Sequence, residues 1–178
     1  MLSTSYATNA VYVFNHGPNS RMKEASIYYT LNDGLKRQRA DAKGLPAKVI
    51  SLAVYPTDAR FVAAGGDDGL YLSRNSVGSF ERLVSGKQVL AASFDLNGEQ
   101  LWFGTYSGEP ALFRMSLKAD SKAEAVKLPA LTKDALAYIP QNPGRRSEIA
   151  IATFNRNVYV SKDQGGTWTQ IAREGSAL

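Results

Sequence analysis

A short alternating strand that ends in a hydroxyl residue recurs along this chain at a nearly constant interval. Ile27-Tyr28-Tyr29 runs into Thr30, Leu70-Tyr71-Leu72 into Ser73, Phe113-Arg114-Met115 into Ser116 and Val158-Tyr159-Val160 into Ser161. The anchors at 30, 73, 116 and 161 stand 43, 43 and 45 residues apart. An interval of that size holds one unit of four short strands joined by tight turns. Such a unit cannot bury its apolar face alone, so neighbouring units must stack. The spacing therefore predicts an all-β chain of about four successive four-stranded antiparallel sheets.

The most specific stretch of the sequence begins at the last anchor. Ser161-Lys162-Asp163-Gln164-Gly165-Gly166-Thr167-Trp168 reads S-x-D-x-G-x-T-W. A tight hairpin needs backbone positions at positive φ, a role expected of Gly165 and Gly166. The short side chains of Ser161 and Asp163 can bond the exposed N–H groups of the turn. Thr167 completes the motif, and Trp168 is expected to turn inward and bury a large apolar area. Worn copies stand at two earlier anchors. Ser73, Asn75 and Phe80 replace the Ser, Asp and Trp in the first, and Thr30, Asn32 and Gly34 mark the second. After Ser116 the motif is replaced by Lys118 to Glu124, read as a longer exposed loop with room for one helical turn. The motif resembles the Asp-box, or bacterial neuraminidase repeat, which sits on the hairpin between the third and fourth strands of a β-propeller blade. The resemblance implies a β-propeller with blades over residues 1–38, 47–84, 88–128 and 133–171, forming one domain over 1–178. The box residues then have a structural role.

Composition narrows the function classes. The chain has 178 residues, 44% of them hydrophobic and 21% charged, which are globular values. It has no cysteine, so disulfides, thiol nucleophiles and Cys-based metal sites are excluded. No apolar run reaches the length of a membrane span. Residues 1–20 lack a charged start followed by an apolar block, so no signal peptide is expected. The net charge of +5 admits non-specific binding of acidic polymers. The densest cluster, Lys36-Arg37-Gln38-Arg39, falls on the expected outer strand of the first sheet, where positive charge discourages edge-to-edge pairing. It has none of the interleaved aromatics of a base-stacking surface, so nucleic acid is not the expected partner.

Two further groups invite chemistry. His16, the one histidine, sits in the Gly/Pro-rich turn from Asn15 to Lys23, where it can act as a ligand or base, or cap loop backbone. Asp67 and Asp68 lie in Gly65-Gly66-Asp67-Asp68-Gly69, a hairpin turn without the further oxygen ligands that calcium needs. No metal or cofactor site is expected.

At repeat level the chain also resembles the C-terminal part of bacterial glycosylhydrolase-like and sortilin-like repeat proteins. The matching stretches are Gly17-Pro18-Asn19-Ser20 before a strand and box, Asp134 to Pro143, and Glu148 to Gly175 with its box and Ile171. That resemblance implies export. A sialidase-type site would need an arginine triad, an Arg-x-Pro segment, a general acid and a Tyr–Glu pair. The chain has no Arg-x-Pro. A pair of carboxylates that meets only in space stays open as a glycosidase site. The expected function is a non-catalytic module that binds a protein or glycan. The alternatives are a sialidase-like glycoside hydrolase and a basic nucleic-acid-binding module. End sheets with apolar faces call for closure of four sheets in a monomer, the preferred reading, or for a pair of chains making a larger ring.

Overall fold

A computed structural model describes residues 2–4, 10–15, 26–32, 34–96, 98–142 and 144–178. His16 and most of its turn, Asp33, Asn97 and Pro143 lie outside them. Among the described residues every regular element is a strand, and the strands form four antiparallel sheets.

The first sheet orders β1 (Leu2–Thr4), β2 (Val11–Asn15), β3 (Ser26–Thr30) and β4 (Gln38–Arg39). The second orders β5 (Val49–Val54), β6 (Val62–Gly66), β7 (Gly69–Ser73) and β8 (Glu81–Ser85). The third holds β9 (Gln88–Phe94), β10 (Gln100–Tyr106), β11 (Pro110–Ser116) and β12 (Glu124–Val126). The fourth holds β13 (Leu136–Tyr138), β14 (Ile149–Thr153), β15 (Val158–Ser161), β16 (Thr169–Arg173) and β17 (Ser176–Ala177). Spatial order equals chain order because short turns join only antiparallel neighbours. The segment after Ser116 makes a turn, with Asp120 at φ 60°, and then β12. Residues 175–178 include β17, because Glu174 and Gly175 at φ 49° and 91° turn the chain back on β16.

The chain forms two compact units, Met1–Val89 and Leu90–Leu178. In the first unit, Tyr12 and Ile27 of the first sheet pack on Leu52, Val62, Ala64 and Tyr71 of the second. The buried Tyr12 hydroxyl donates to the Ala59 carbonyl at 2.7 Å, which satisfies it across the two sheets. Burial pushes the Tyr12 phenol pKa up. In the second unit, Trp102 and Leu112 of the third sheet pack on Leu136, Ile149, Ile151 and Tyr159 of the fourth. Gly104 lets these sheets approach. A Cβ there would stand 2.9 Å from the Leu136 Cβ, closer than real carbon contacts come.

The ladders correct one anchor. Thr30 pairs with Val11, Ser73 with Val62 and Ser161 with Ile149. Their counterpart in the third sheet is Met115, which pairs with Leu101, and not Ser116, which pairs with Gln100. Ser73, Ser161 and Met115 are all buried, whereas Ser116 is half-buried. A slip of one residue in a strand moves the side chain to the other face. Methionine offers no hydroxyl to a turn, so the third sheet lacks the hydroxyl-capped turn.

Candidate functional site

The three motif-bearing turns share one hydrogen-bond pattern. The Ser161 hydroxyl donates to Asp163 Oδ1 at 2.7 Å and accepts the N–H groups of Asp163 and Gly165 at 3.3 and 2.7 Å. Asp163 in turn accepts the Thr167 N–H at 2.8 Å and the Thr167 hydroxyl at 2.8 Å. Ser73 repeats this with Asn75 and the Val77 N–H, at 3.0 Å each, and Asn75 Oδ1 accepts the Ser79 N–H at 2.9 Å. Thr30 repeats it with Asn32 at 2.9 Å and the Gly34 N–H at 3.1 Å, and Asn32 Oδ1 accepts the Lys36 N–H at 2.9 Å. At the third sheet the Ser116 hydroxyl accepts only the Lys118 N–H among these, at 3.2 Å.

The positive-φ positions differ from expectation by one residue. They are Gln164 and Gly165, at 55° and 89°, and not Gly166. Gly166 serves a different purpose: a Cβ there would come within 3.0 Å of the Asp163 carboxylate. The equivalent of Gly165 in the second sheet is Val77, a fully buried β-branched residue at φ 64°. Such a conformation is strained, and only firm packing retains it.

In the second and fourth sheets the aromatic that closes the motif ties its hairpin to the preceding sheet's outgoing chain. Phe80 is 8% exposed, and its N–H donates to the Lys43 carbonyl at 2.7 Å. Trp168 does the same with its side chain, Nε1 donating to the Lys127 carbonyl at 2.8 Å. The Trp168 ring is only partly buried, packed at the margin of the second unit's core. Indole keeps its polar edge at a partner while its apolar body covers the core.

These contacts consume the polar atoms of the motif. The Asp163 pKa is held down to about 2 by the Thr167 N–H, the Ser161 hydroxyl and the Thr167 hydroxyl. A carboxylate so engaged is a poor proton carrier. Asp134, 5% exposed, accepts from the N–H groups of Ala135 and Asn155 at 2.8 and 3.0 Å and from Asn157 Nδ2 at 3.0 Å. Burial raises its pKa, but the donors, Thr153 with them, outweigh that and leave it lowered. Several arginines are each matched to a nearby carboxylate: Arg60 to Asp58, Arg74 to Glu81, Arg82 to Asp68, Arg114 to Glu124 and Arg145 to Glu148. Asp68 also accepts the Tyr71 hydroxyl at 2.9 Å. Among the described residues no cluster of acidic and histidine side chains could hold a metal ion.

An open groove of about 560 Å³ lies in the second unit. The β10–β11 turn gives it Tyr106 and Glu109, and the connection from β12 to β13 gives Leu128, Leu131, Lys133 and Asp134. In an antiparallel meander the second turn and the outgoing connection share one edge. The motif-bearing turn, between third and fourth strands, lies at the other. The groove mixes apolar walls with a phenol, an ammonium and carboxylates, the composition of a ligand site. None of the motif residues lines it. A cavity of about 100 Å³ at the edge of the motif turn is lined by Asp95, Glu99, Gln141 and Arg146 among others, with a buried Gln141 Nε2 that has no hydrogen-bond partner among the described residues.

No protein-family model matches the sequence, and no curated protein sequence matches it. Solved structures do. An ancestral GH74 enzyme superposes with a TM-score of 0.70 at 18% identity, over 97% of this chain and 24% of its own. An auxiliary nutrient binding protein from Bacteroides thetaiotaomicron gives 0.69 at 13%, over 94% of this chain and 40% of its own. The extracellular domain of a one component system from the same organism gives 0.66 at 16%, over 97% of this chain and 22% of its own. The likeness is one of fold. These are proteins of the β-propeller type, and the chain spans less than half the length of each. Among the described residues no helix is long and apolar enough to cross a membrane.

Proposed function

We propose that this chain is a non-catalytic β-propeller module of four blades that binds a carbohydrate or protein ligand in the groove beside Tyr106 and Lys133. The turns at Ser161, Ser73 and Thr30 are read as Asp-boxes, one intact and two worn, with a structural role. One observation carries the reading: the motif atoms are spent on their own turns, while the groove on the opposite edge keeps mixed polar and apolar side chains open to a ligand. The structural neighbours include a nutrient binding protein and the extracellular domain of a one component system, which agrees with a binding role outside the cytoplasm.

A glycoside hydrolase is the second reading, favoured by the GH74 neighbour and by Glu109 and Asp134 lining one groove. Against it stands the engagement of Asp134, which is buried with its oxygens bound to the Ala135 and Asn155 N–H groups and to Asn157 Nδ2, and so is poorly placed to attack a substrate or activate a water. Purified protein is expected to release no product from sialosides or aryl glycosides above a buffer blank. Steady turnover that Glu109→Gln abolishes would make it an enzyme. Binding to heparin that weakens steeply with salt would favour the nucleic-acid reading instead.

A further inference from the structure

We propose that the groove beside Tyr106 takes an extended peptide, paired main chain to main chain along residues 128–131, a proposal that rests on this groove being the ligand site. The stretch belongs to the connection from β12 to β13, which is pinned on both sides. Before it, the Lys127 carbonyl accepts the Trp168 indole N–H at 2.8 Å. After it, the Lys133 carbonyl accepts Asn155 Nδ2 at 3.2 Å. Between these pins the main chain of residues 128–131 makes no hydrogen bond to any other described residue. Main-chain groups without a protein partner must turn to water or to a ligand. Pro129 fixes its own φ and disfavours helical backbone at Leu128. No residue from Leu128 to Thr132 has a positive φ. The stretch thus runs extended before a ligand arrives, which lowers the ordering cost of pairing with it.

Leu128, Pro129, Ala130 and Leu131 all line the groove. Successive side chains of an extended chain leave on opposite sides. Four residues in a row can line one groove only where the main chain itself forms part of the wall. That wall alternates acceptors and donors, with Pro129 contributing a carbonyl alone. A second extended polypeptide carries the same alternation at the same spacing, and a glycan does not. The side chains add a charge pattern. Glu109 on the β10–β11 turn and Lys133 are exposed, and neither forms an ion pair with a described residue. They fit a peptide with a basic residue near Glu109 and an acidic one near Lys133. The half-buried Leu128 and Leu131 fit an apolar residue of the same peptide.

Selection of a phage-displayed library of random peptides on the full chain, then calorimetry with a selected peptide, tests this. Wild type and Tyr106→Ala are also probed on a glycan array. Selected peptides should carry a basic, an apolar and an acidic residue, and should not bind Tyr106→Ala. Methylating the peptide's backbone nitrogens one at a time should weaken binding about tenfold at every second position and little between. Lys133→Glu should weaken binding about tenfold, and a peptide whose acidic residue is replaced by lysine should restore it. A selected peptide that binds Tyr106→Ala as well as wild type overturns the proposal. So does a methylation series without alternation, or a charge reversal that the altered peptide does not restore. Glycans bound by wild type and lost in Tyr106→Ala, with no peptide selected, keep the groove as the ligand site and overturn the peptide. Nothing bound from either class overturns both.

Discussion

At the scale of single residues, the Ser161 hydroxyl does more than its size suggests. It is fully buried, donates once and accepts two N–H groups. Ser161→Ala leaves the Gly165 N–H buried without its acceptor, which costs about 1–3 kcal/mol. The melting temperature should fall by roughly 3–10 °C, read by calorimetry. Asp163 adds a pH signature. Its pKa is depressed in the folded chain, so its contribution is complete above the ordinary carboxylate value of 3.8 and is lost as pH falls through about 2. Asp163→Asn should keep the turn, because Asn75 makes the same bonds in the second sheet. The gap in melting temperature between wild type and Asp163→Asn should therefore be constant down to about pH 4 and narrow towards pH 2. A gap that does not change with pH would show that the carboxylate charge plays no part. Residues of this kind are legible in a sequence because the bonding is local: Ser161, Asp163, Gly165 and Thr167 all lie within one turn. The error at Gly166 arose because positive φ and close approach both select glycine, and sequence alone does not separate them.

At the scale of elements, a hydroxyl at the end of a strand locates a hairpin only where the hydroxyl is kept. The strand order and the turn after Ser161 follow from alternation and spacing. The third sheet misled by one residue, because Met115 holds the hydroxyl's place and the adjacent Ser116 keeps the interval. The groove was not legible at all. Its walls come from Tyr106–Pro110 and Leu128–Asp134, two loops that share an edge only once β11 and β12 are paired. Sheet-to-sheet approach is equally hidden in a sequence, since Gly104 reads as one glycine among fifteen. Gly104→Val should overpack the Leu136 contact and cost about 1–3 kcal/mol. Adding Leu136→Ala should cost less than the two single effects summed, because the two changes share one space. Additive denaturation energies in urea would show that the glycine is not there for the approach.

At the scale of the molecule, the motif residues that hold the turns are separate from those that line the groove. Two of the motif turns join their hairpin to the chain leaving the sheet before it, through Phe80 to Lys43 and Trp168 to Lys127. The groove lies at the other edge of the same sheets, on two connecting loops, and its Leu128 and Leu131 also pack against the core. Function on a shared fold belongs to such loops and not to the scaffold, which is why likeness to an enzyme of this fold assigns no reaction here. The most direct test is a glycan and peptide array probed with wild type, Tyr106→Ala and Asp163→Ala, each with its melting temperature. Wild type is expected to bind. Tyr106→Ala should lose binding with its melting temperature unchanged, and Asp163→Ala should melt lower yet bind as wild type below its transition. Loss of binding in Asp163→Ala at an unchanged melting temperature, or binding that survives Tyr106→Ala intact, would contradict this separation, as would a wild type that binds nothing on either array.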